Sequence, residues 1–362
     1  MKKLTILFAY RNRDLSRIKL SLESLENQKN QNFEVLFIDY GSDPEFSVPL
    51  EKLVQSFTFA SYFYIAHSGL LWNKSKAFNF GIRRSSTSYI FTADIDLILH
   101  PDTTKVLEDL ASDQSFTLFD YGYLPQHLTP EKIAEYSFDL LRPSHYGEIN
   151  GVGLYPKSAL EAIRGFDEFY HFYGSEDVDL FQRLENLGLE CKREKRKLLL
   201  HQWHKRYPQK DEAKLTSVPR LANVLRINQQ HYFKCCREKS ITASGQEEWG
   251  ICFQNQDLEK LENPTRKFEF SNLSSAVVHF LNESLKTYKG EIVSVHFKED
   301  LDYLSLKNRL KKMIKRNYQP YLSIKVINDL ILQKIIFYYR DHNYLYRIDP
   351  DLKGITFKID LR

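Results

Sequence analysis

The first half of the chain alternates between strand-like and helix-like hydrophobic patterns. Four short apolar runs have the length of buried strands and cover residues 4–10, 33–39, 61–66 and 88–93. Between them, apolar side chains recur at helical spacing over residues 14–28, 49–56 and 74–84. Strands that alternate with helices in this way predict a parallel α/β sheet.

The pattern changes after a polar stretch at residues 238–248. Before this stretch we predict helices over residues 102–111, 157–163, 176–187 and 218–238, strands over 115–121 and 150–156, and an irregular segment over 122–147. After it we predict strands over residues 250–254, 291–297 and 354–360 and helices over 271–287 and 302–316. The predicted organisation is an α/β domain over residues 1–238 and a smaller α+β accessory module over residues 249–362.

Composition limits the classes of function that fit this fold. The 362 residues suffice for two domains, and a formal net charge of +4 does not require a nucleic-acid partner. The four cysteines form no Cys-x-x-Cys pair, which favours reduced thiols. The N-terminal apolar run is too short for a signal peptide, and no stretch approaches the length of a membrane span. We therefore expect a cytoplasmic globular protein.

Three polar clusters follow predicted strands. They are the turn Arg11–Arg13, Asp39, and the triplet Asp94-Ile95-Asp96. In open α/β sheets, ligands bind outside the carboxyl ends of the strands, so the three clusters are expected at one edge. Side chains alternate along a strand, which would point Asp94 and Asp96 the same way. Two such carboxylates can hold a divalent cation, and the cation can hold a diphosphate.

Six motifs occur in a characteristic order between residues 4 and 210. They are Phe8-Ala9-Tyr10-Arg11-Asn12-Arg13, Phe37-Ile38-Asp39-Tyr40-Gly41-Ser42, Trp72-Asn73-Lys74-Ser75-Lys76-Ala77-Phe78-Asn79-Phe80-Gly81, Asp94-Ile95-Asp96, Gly174-Ser175-Glu176-Asp177-Val178-Asp179 and His201-Gln202-Trp203-His204. This set resembles inverting glycosyltransferases of family 2 type with the GT-A fold, and is similar to chondroitin and hyaluronan polymerase domains and to β-1,4-galactosyltransferases. The resemblance implies a Rossmann-like nucleotide-diphospho-sugar transferase domain.

The resemblance implies a metal site at the Asp-x-Asp motif. Asp96 and His201 would be the protein ligands, Asp94 would face the ribose, and His204 competes with His201 for its role. A lone histidine is more often structural, which is the alternative for both. A ligand set that includes imidazole favours Mn²⁺ over Mg²⁺.

The same resemblance implies the nucleotide-binding residues. Asp39 would accept a hydrogen bond from uracil, Tyr10 would stack on the base, and Arg11 would contact the nucleotide. The lysines Lys74 and Lys76 would serve the phosphates. Each has a structural alternative. Asp39 could cap the turn before Gly41, Tyr10 could be a core residue, and the charged side chains could be solvated.

Inversion at the sugar requires a base near the acceptor hydroxyl. The resemblance assigns this role to Asp177 and leaves Glu176 to orient sugar hydroxyls. Acidic residues also suit a helix N-terminus for electrostatic reasons alone, so a structural role remains open. Val178 departs from the galactosyltransferases, which carry an acid there, and favours the branch of the bacterial polymerases.

The function implied is transfer of a sugar from a UDP-sugar to a carbohydrate or glycolipid acceptor, in the synthesis of bacterial surface polysaccharide. Two alternatives remain: a catalytically inactive carbohydrate-binding or assembly module, and a nucleotidyltransferase. The basic run at residues 307–316 could lie at the inner face of a membrane or dock on the catalytic domain. The sequence leaves the oligomeric state and the sugar open.

Overall fold

A computed structural model describes residues 4–148, 151–205, 212–243, 247–303, 305–306 and 320–362. The chain forms two compact units. The first contains Met1–Ser68, Trp72–Arg206 and Leu225–Cys252, and the second contains Gly69–Leu71, Tyr207–Val224 and Phe253–Arg362. The basic run predicted at residues 307–316 lies outside the described residues.

The first unit contains eleven strands and eight helices within its described residues. The strands are β1 (Leu4–Tyr10), β2 (Phe33–Asp39), β3 (Ala60–Tyr64), β4 (Tyr89–Ala93), β5 (Leu97–Leu99), β6 (Ser115–Phe119), β7 (Tyr121–Tyr123), β8 (His145–Gly147), β9 (Gly153–Pro156), β10 (Glu190–Glu194) and β11 (Leu199–His201). The helices are α1 (Leu15–Glu26), α2 (Pro44–Gln55), α3 (Lys74–Arg84), α4 (Thr103–Leu110), α5 (Pro130–Ala134), α6 (Lys157–Ala162), α7 (Glu176–Asn186) and α8 (Val224–Glu238), of which only Val224 falls in the second unit.

A seven-stranded sheet in the order β10-β6-β9-β4-β1-β2-β3 forms the centre of this unit. Strands β1, β2, β3 and β4 are parallel, as the alternating pattern predicts. Strand β9 is antiparallel to both of its neighbours, which the pattern does not predict. In the register, Tyr10 pairs with Asp39 and Phe8 pairs with Ala93, so the carboxyl ends of β1, β2 and β4 meet at one edge.

Helices pack closely on the sheet because the sequence places small residues where the helices approach it. Helix α3 is buried along Ser75 to Ile82. A Cβ atom at Gly81 would lie only 2.2 Å from Cδ1 of Leu7, so glycine permits the contact between α3 and β1. Aromatic rings from neighbouring strands, such as Phe8 and Phe37 at 5.6 Å, fill the core on the sheet.

A second, smaller sheet in the order β5-β11-β7-β8 lies beyond the end of β4. Strands β5, β7 and β8 come from segments that the sequence pattern leaves unassigned, predicts as irregular or assigns in part to another strand, whereas β11 overlaps the apolar run at residues 197–200, a plausible strand. Strand β11 pairs antiparallel with β5 and parallel with β7, so that His201 lies opposite Leu97 and Tyr123. This sheet positions the candidate site.

The second unit has a four-stranded sheet in the order β12-β13-β15-β14. The elements are α9 (Asn255–Lys260), β12 (Arg266–Ser271), α10 (Ser274–His279), β13 (Ile292–Lys298), α11 (Ile324–Lys334), β14 (Tyr344–Ile348) and β15 (Gly354–Asp360). The predicted strand over residues 250–254 is wrong, because this segment is irregular and leads into α9. The predicted α/β domain with a smaller mixed module is confirmed. Every helix in the described part of the chain is too short or too polar to cross a bilayer.

Candidate active site

Asp94, Ile95 and Asp96 form the connection between β4 in the large sheet and β5 in the small sheet. The segment is a tight turn, in which the backbone N–H of Leu97 donates to the carbonyl of Asp94 at 3.3 Å. The prediction that strand alternation aligns the two carboxylates is wrong, because β4 ends at Ala93. The turn directs the carboxylates to different partners: Asp96 contacts two histidines, and Asp94 contacts Lys74.

Asp96, His201 and His204 form a compact group of potential metal ligands. Nε2 of His201 lies 3.4 Å from Oδ1 of Asp96, and Nε2 of His204 lies 3.5 Å from Oδ2. The pairing of β11 with β5 creates this contact, and the N–H of Gln202 donates to the carbonyl of Asp96 at 3.0 Å. One ligand atom from each of the three residues lies within 4.8 Å of the others.

Neighbouring groups fix the orientation of both imidazoles. The ring of His201 stacks on Tyr121, with centroids 5.0 Å apart and an angle of 18°. Nδ1 of His204 lies 3.0 Å from the carbonyl of Lys205, and since a carbonyl only accepts, Nδ1 carries the proton. The other nitrogen, Nε2, therefore has a lone pair toward Asp96. Two imidazoles and a carboxylate can supply three ligands to a divalent cation such as Mn²⁺ and leave positions for oxygen ligands.

A second charged group lies beside the first and surrounds Gly151. A methyl group at this position would lie 3.5 Å from Oδ2 of Asp177, 3.8 Å from Nζ of Lys74 and 3.9 Å from Oδ2 of Asp94. The Lys74 ammonium lies 3.3 Å from Oδ1 of Asp94. The motifs of α3, of the β4–β5 turn and of α7 therefore meet around Gly151. The same turn carries Asp96, so it joins this charged group to the ligand group of Asp96, His201 and His204.

The turn before α7 presents Glu176 and Asp177 at the start of that helix. Gly174 has φ of 101° and Ser175 has φ of 72°, both in the left-handed region. A Cβ atom at Gly174 would lie 2.4 Å from Cδ2 of Leu225, so glycine is required by conformation and by space. Strained backbone of this kind is common where a side chain is held for function.

The charges around Asp177 act in opposite directions on its acidity. Burial and the charge of Glu176 raise the pKa of Asp177 to about 7, while Lys74 lowers it and Asp94 raises it. Burial would lower the pKa of Lys74, but Asp94, Asp177 and Glu176 outweigh it and raise that pKa above its usual range. Lys74 is therefore a permanent cation, and Asp177 changes its charge near neutral pH.

Tyr10 and Asp39 make internal contacts at the end of β1 and β2. The hydroxyl of Tyr10 donates to the carbonyl of Arg13 at 2.8 Å, and its ring packs on Phe37. Asp39 is fully buried, accepts from the N–H of Ser42 at 2.9 Å and accepts from the hydroxyl of Tyr62 at 2.8 Å. In this structure Asp39 caps its turn, and burial raises its pKa against these hydrogen bonds. Nucleotide binding by both residues stays a prediction.

Arg11 and Lys76 differ in their accessibility. The guanidinium of Arg11 donates to the carbonyl of Ser68 at 2.8 Å in an exposed position near Asp39. Lys76 is buried, and its ammonium lies 3.4 Å from Oε2 of Glu168 in the interior. Lys74, which lies two residues before Lys76 on α3, is therefore the lysine whose ammonium belongs to the charged group around Gly151.

Two family models match the part of the chain that forms this site. Residues 5–124 match the model of glycosyl transferase family 2, and residues 134–205 match the model described as the N-terminal domain of galactosyltransferase. No curated protein matches the sequence. The resemblance carried by the six motifs is confirmed by these matches, since they cover nearly all of the segment in which the motifs occur.

Solved glycosyltransferase structures are also similar to the chain. One is the mannosyltransferase PcManGT from Pyrobaculum calidifontis in complex with GDP-Man and Mn²⁺, at 12% identity over 58% of this chain and 60% of that chain, with a TM-score of 0.42. Another is GalNAc-T7 with UDP, GalNAc and Mn²⁺, at 11% identity over 66% of this chain and 57% of that chain, with a TM-score of 0.44. The chain thus spans less than two thirds of either protein. The two family matches cover most of the first unit, and its α/β fold is that of GT-A glycosyltransferases.

Sequence reasoning missed two contributors to the site, Gly151 and Tyr121, and named both Lys74 and Lys76 for the phosphates. Lys74 and Gly151 lie at the second charged group, and Tyr121 supports His201. The spacing Tyr121-x-Tyr123 on one strand face is a signal that the sequence offers. The choice between Lys74 and Lys76 has no such signal, because α3 is buried on most of its circumference and therefore lacks a polar face.

Proposed function

We propose that the protein is a metal-dependent inverting glycosyltransferase that moves a sugar from a UDP-sugar to a hydroxyl of a carbohydrate acceptor. One observation carries the proposal: the potential metal ligands Asp96, His201 and His204 lie beside a cluster of Asp94, Lys74 and Asp177 at the edge where parallel strands end. Metal ligands next to an ionisable carboxylate match the requirements of sugar transfer from a diphosphate.

Asp177 is proposed as the general base. Its carboxylate would accept the proton of the acceptor hydroxyl while the acceptor oxygen forms a bond to the anomeric carbon. The bond from that carbon to the diphosphate oxygen breaks, and its electron pair leaves with UDP. A single displacement of this type inverts the configuration at the anomeric carbon. A pKa of about 7 for Asp177 suits a base that works near neutral pH.

Positive charge is needed where the diphosphate leaves. A divalent cation held by Asp96, His201 and His204 would supply electrostatic stabilisation there. Lys74 would add a second cation from α3, whose first turn also presents backbone N–H groups. We assign the phosphate-binding role to Lys74, because its ammonium faces Asp94 and Asp177 whereas that of Lys76 pairs with Glu168.

The nucleotide would bind over the ends of β1 and β2. Arg11 is partly exposed and close to Asp39, so it can reach a bound base or ribose. Recognition of uracil by Asp39 requires the Tyr62 hydroxyl or the Ser42 N–H to share the carboxylate with the base, since each carboxylate oxygen can accept more than one hydrogen bond. Similarity to polysaccharide polymerases supports an acceptor in the assembly of bacterial surface polysaccharide.

Product analysis by mass spectrometry tests the proposal. The purified chain is incubated with Mn²⁺, a panel of UDP-sugars and oligosaccharide acceptors. We expect release of UDP and an acceptor product heavier by one sugar, with neither in the presence of a chelator. The variant Asp177→Asn should bind UDP with Mn²⁺ and form no product. UDP binding without transfer or hydrolysis of any sugar donor by the wild type would favour a binding module instead.

A further inference from the structure

Asp167, His231 and Cys235 form a second group of potential metal ligands, which shares no residue with the group of Asp96, His201 and His204. One ligand atom from each lies within 4.8 Å of the others. His231 and Cys235 are four residues apart on α8 and therefore share a helix face, while Asp167 comes from the segment after α6. Nε2 of His231 lies 3.0 Å from Oδ2 of Asp167. None of these residues takes part in the proposed reaction.

The group is buried and its members are held in place. Asp167 is fully buried, Cys235 is 5% exposed, and the side chain of His231 is 10% exposed. The ring of His231 stacks on Phe169 with centroids 3.8 Å apart and an angle of 12°. The second carboxylate oxygen of Asp167 accepts from the N–H of Phe169 at 2.9 Å, which leaves Oδ2 for the group. Zn²⁺ accepts nitrogen, sulfur and oxygen donors, and these three side chains can supply three of the four ligands of a tetrahedral site.

Two buried carboxylates, Asp167 and Asp179, lie at the group and are opposed by Arg183 and by the imidazole of His231. Asp179 is buried next to the group, and its charge acts on both Asp167 and His231. Arg183 binds one oxygen of Asp179 at 2.8 Å, but the other oxygen, Oδ1, is buried and has no hydrogen-bond partner among the described residues. Arg183 thus serves Asp179, and the imidazole of His231 serves Asp167. A divalent cation bound by Asp167, His231 and a Cys235 thiolate would keep this region neutral, which buried groups require.

We infer that Asp167, His231 and Cys235 bind a structural Zn²⁺ ion that fastens helix α8 to the loop after α6. Cysteine sulfur, imidazole nitrogen and carboxylate oxygen select Zn²⁺ over Mn²⁺ or Mg²⁺, whose sites favour oxygen ligands. The site is independent of the proposed Mn²⁺ site, which contains no sulfur. It does not touch the sugar-transfer reaction and would hold even if the donor were not a UDP-sugar.

Cobalt substitution of the full chain tests the inference, because a thiolate bound to Co²⁺ gives a charge-transfer absorption that nitrogen and oxygen ligands do not. We expect this band in the wild type and in Asp96→Ala, and its loss in Cys235→Ser. Cys236→Ser is the matched control, since the adjacent, partly exposed thiol is not in the group and the band should persist. Absence of the band in the wild type, or its persistence in Cys235→Ser, would overturn the inference.

X-ray absorption at the zinc edge provides a second measurement that needs no variant. The wild type loaded with an equimolar amount of Zn²⁺ should show a sulfur neighbour at about 2.3 Å. A shell of nitrogen and oxygen neighbours alone would place the ion at Asp96, His201 and His204 and would contradict the assignment. Circular dichroism of Cys235→Ser identifies a folding failure, and in that case the zinc-edge spectrum decides.

Discussion

At the scale of single residues, the balance of charge on Asp177 determines how the site would work. Burial and Glu176 favour the protonated carboxyl group, and Lys74 favours the carboxylate. Because the net result is a pKa of about 7 for Asp177, small changes in the neighbours should be visible in the pH dependence of activity near neutral pH. This balance leads to two predictions for Asp177, on activity and on stability, and to one for Lys74.

The activity of the wild type should rise with pH through the pKa of Asp177. Only the carboxylate can accept a proton, so log kcat/KM should rise with unit slope below about pH 7 and reach a plateau above it. Asp177→Asn should lower kcat by about 10²- to 10⁴-fold and remove this limb. The measurement is initial rate against pH with saturating Mn²⁺. An unchanged limb in Asp177→Asn would show that another group is the base.

The same residue makes a prediction about stability. The pKa of Asp177 is raised above its value in the unfolded chain, so its stabilising contribution is present below about pH 3.8 and is lost as pH rises to about 7. Asp177→Asn cannot ionise and avoids this loss. Thermal unfolding should therefore give a higher Tm for Asp177→Asn than for the wild type at pH 8, with the difference shrinking toward pH 4. A lower Tm for Asp177→Asn at pH 8 would contradict the assignment of the charge.

Lys74 should determine the pH at which kcat/KM of the enzyme rises. Lys74→Met removes the cation that lowers the pKa of Asp177, so the limb should move to higher pH, and KM for the donor should rise. Lys74→Arg keeps the charge and serves as the matched control, with a limb close to that of the wild type. Lys76→Met would report on the interior pair with Glu168 instead. If Lys74→Met left the limb in place, the electrostatic account of Asp177 would be wrong.

Residue types at the site were more predictable from the sequence than their environments. Asp94, Asp96, Asp177 and His201 are identified by motif order, and the structure brings them to one edge of the fold. Side-chain direction was not predictable in the same way. Whether Asp39 faces solvent or caps its turn depends on contacts with Tyr62 and Ser42, which are distant or ambiguous in sequence.

At the scale of elements, helix α7 is positioned from its buried side. Arg183 forms an ion pair with Asp179 at 2.8 Å and donates to the carbonyls of Ile163 and Gly165 at 3.1 and 2.7 Å. Both side chains of the pair are 1% exposed. These bonds join the middle of α7 to the segment after α6 and fix the turn that presents Glu176 and Asp177.

Removal of the buried arginine should therefore destabilise the first unit. Arg183→Met leaves the carboxylate of Asp179 buried without its cation, which costs about 3–5 kcal/mol. Arg196→Met is the matched control, because the Arg196 side chain is 52% exposed and its pair with Glu194 is worth at most about 1 kcal/mol. Urea unfolding measures both variants. Equal free energies of unfolding for the two would refute the role given to Arg183.

The prediction of elements succeeded where the hydrophobic period is long and regular. Strands β1 and β2 and helix α3 have the predicted bounds, because local pattern alone determines them. The antiparallel insertion of β9 and the three-residue strand β5 were not predictable, since they depend on pairing between distant segments. The small sheet that places His201 beside Asp96 belongs to this second group.

At the scale of the whole molecule, the two units are not simple successive segments of the chain. The second unit includes Gly69–Leu71, where the N–H of Tyr346 donates to the carbonyl of Gly69 at 2.9 Å and the N–H of Leu71 donates to the Tyr344 hydroxyl at 3.1 Å. A polar stretch in the sequence indicates that a boundary exists, but it cannot indicate that three residues of an earlier loop join the later unit. The roles of the second unit in acceptor binding, oligomerisation or membrane contact stay predictions.

The central claim is that one site joins a divalent cation to a nucleotide diphosphate through Asp96. Calorimetric titration of UDP into the full chain, with Mn²⁺ and with a chelator, tests it most directly. We predict binding to the wild type only with Mn²⁺, no Mn²⁺ dependence in Asp96→Ala, and retained Mn²⁺-dependent binding in Asp177→Asn. Equal UDP affinity of the wild type and Asp96→Ala in the presence of Mn²⁺ would contradict the account.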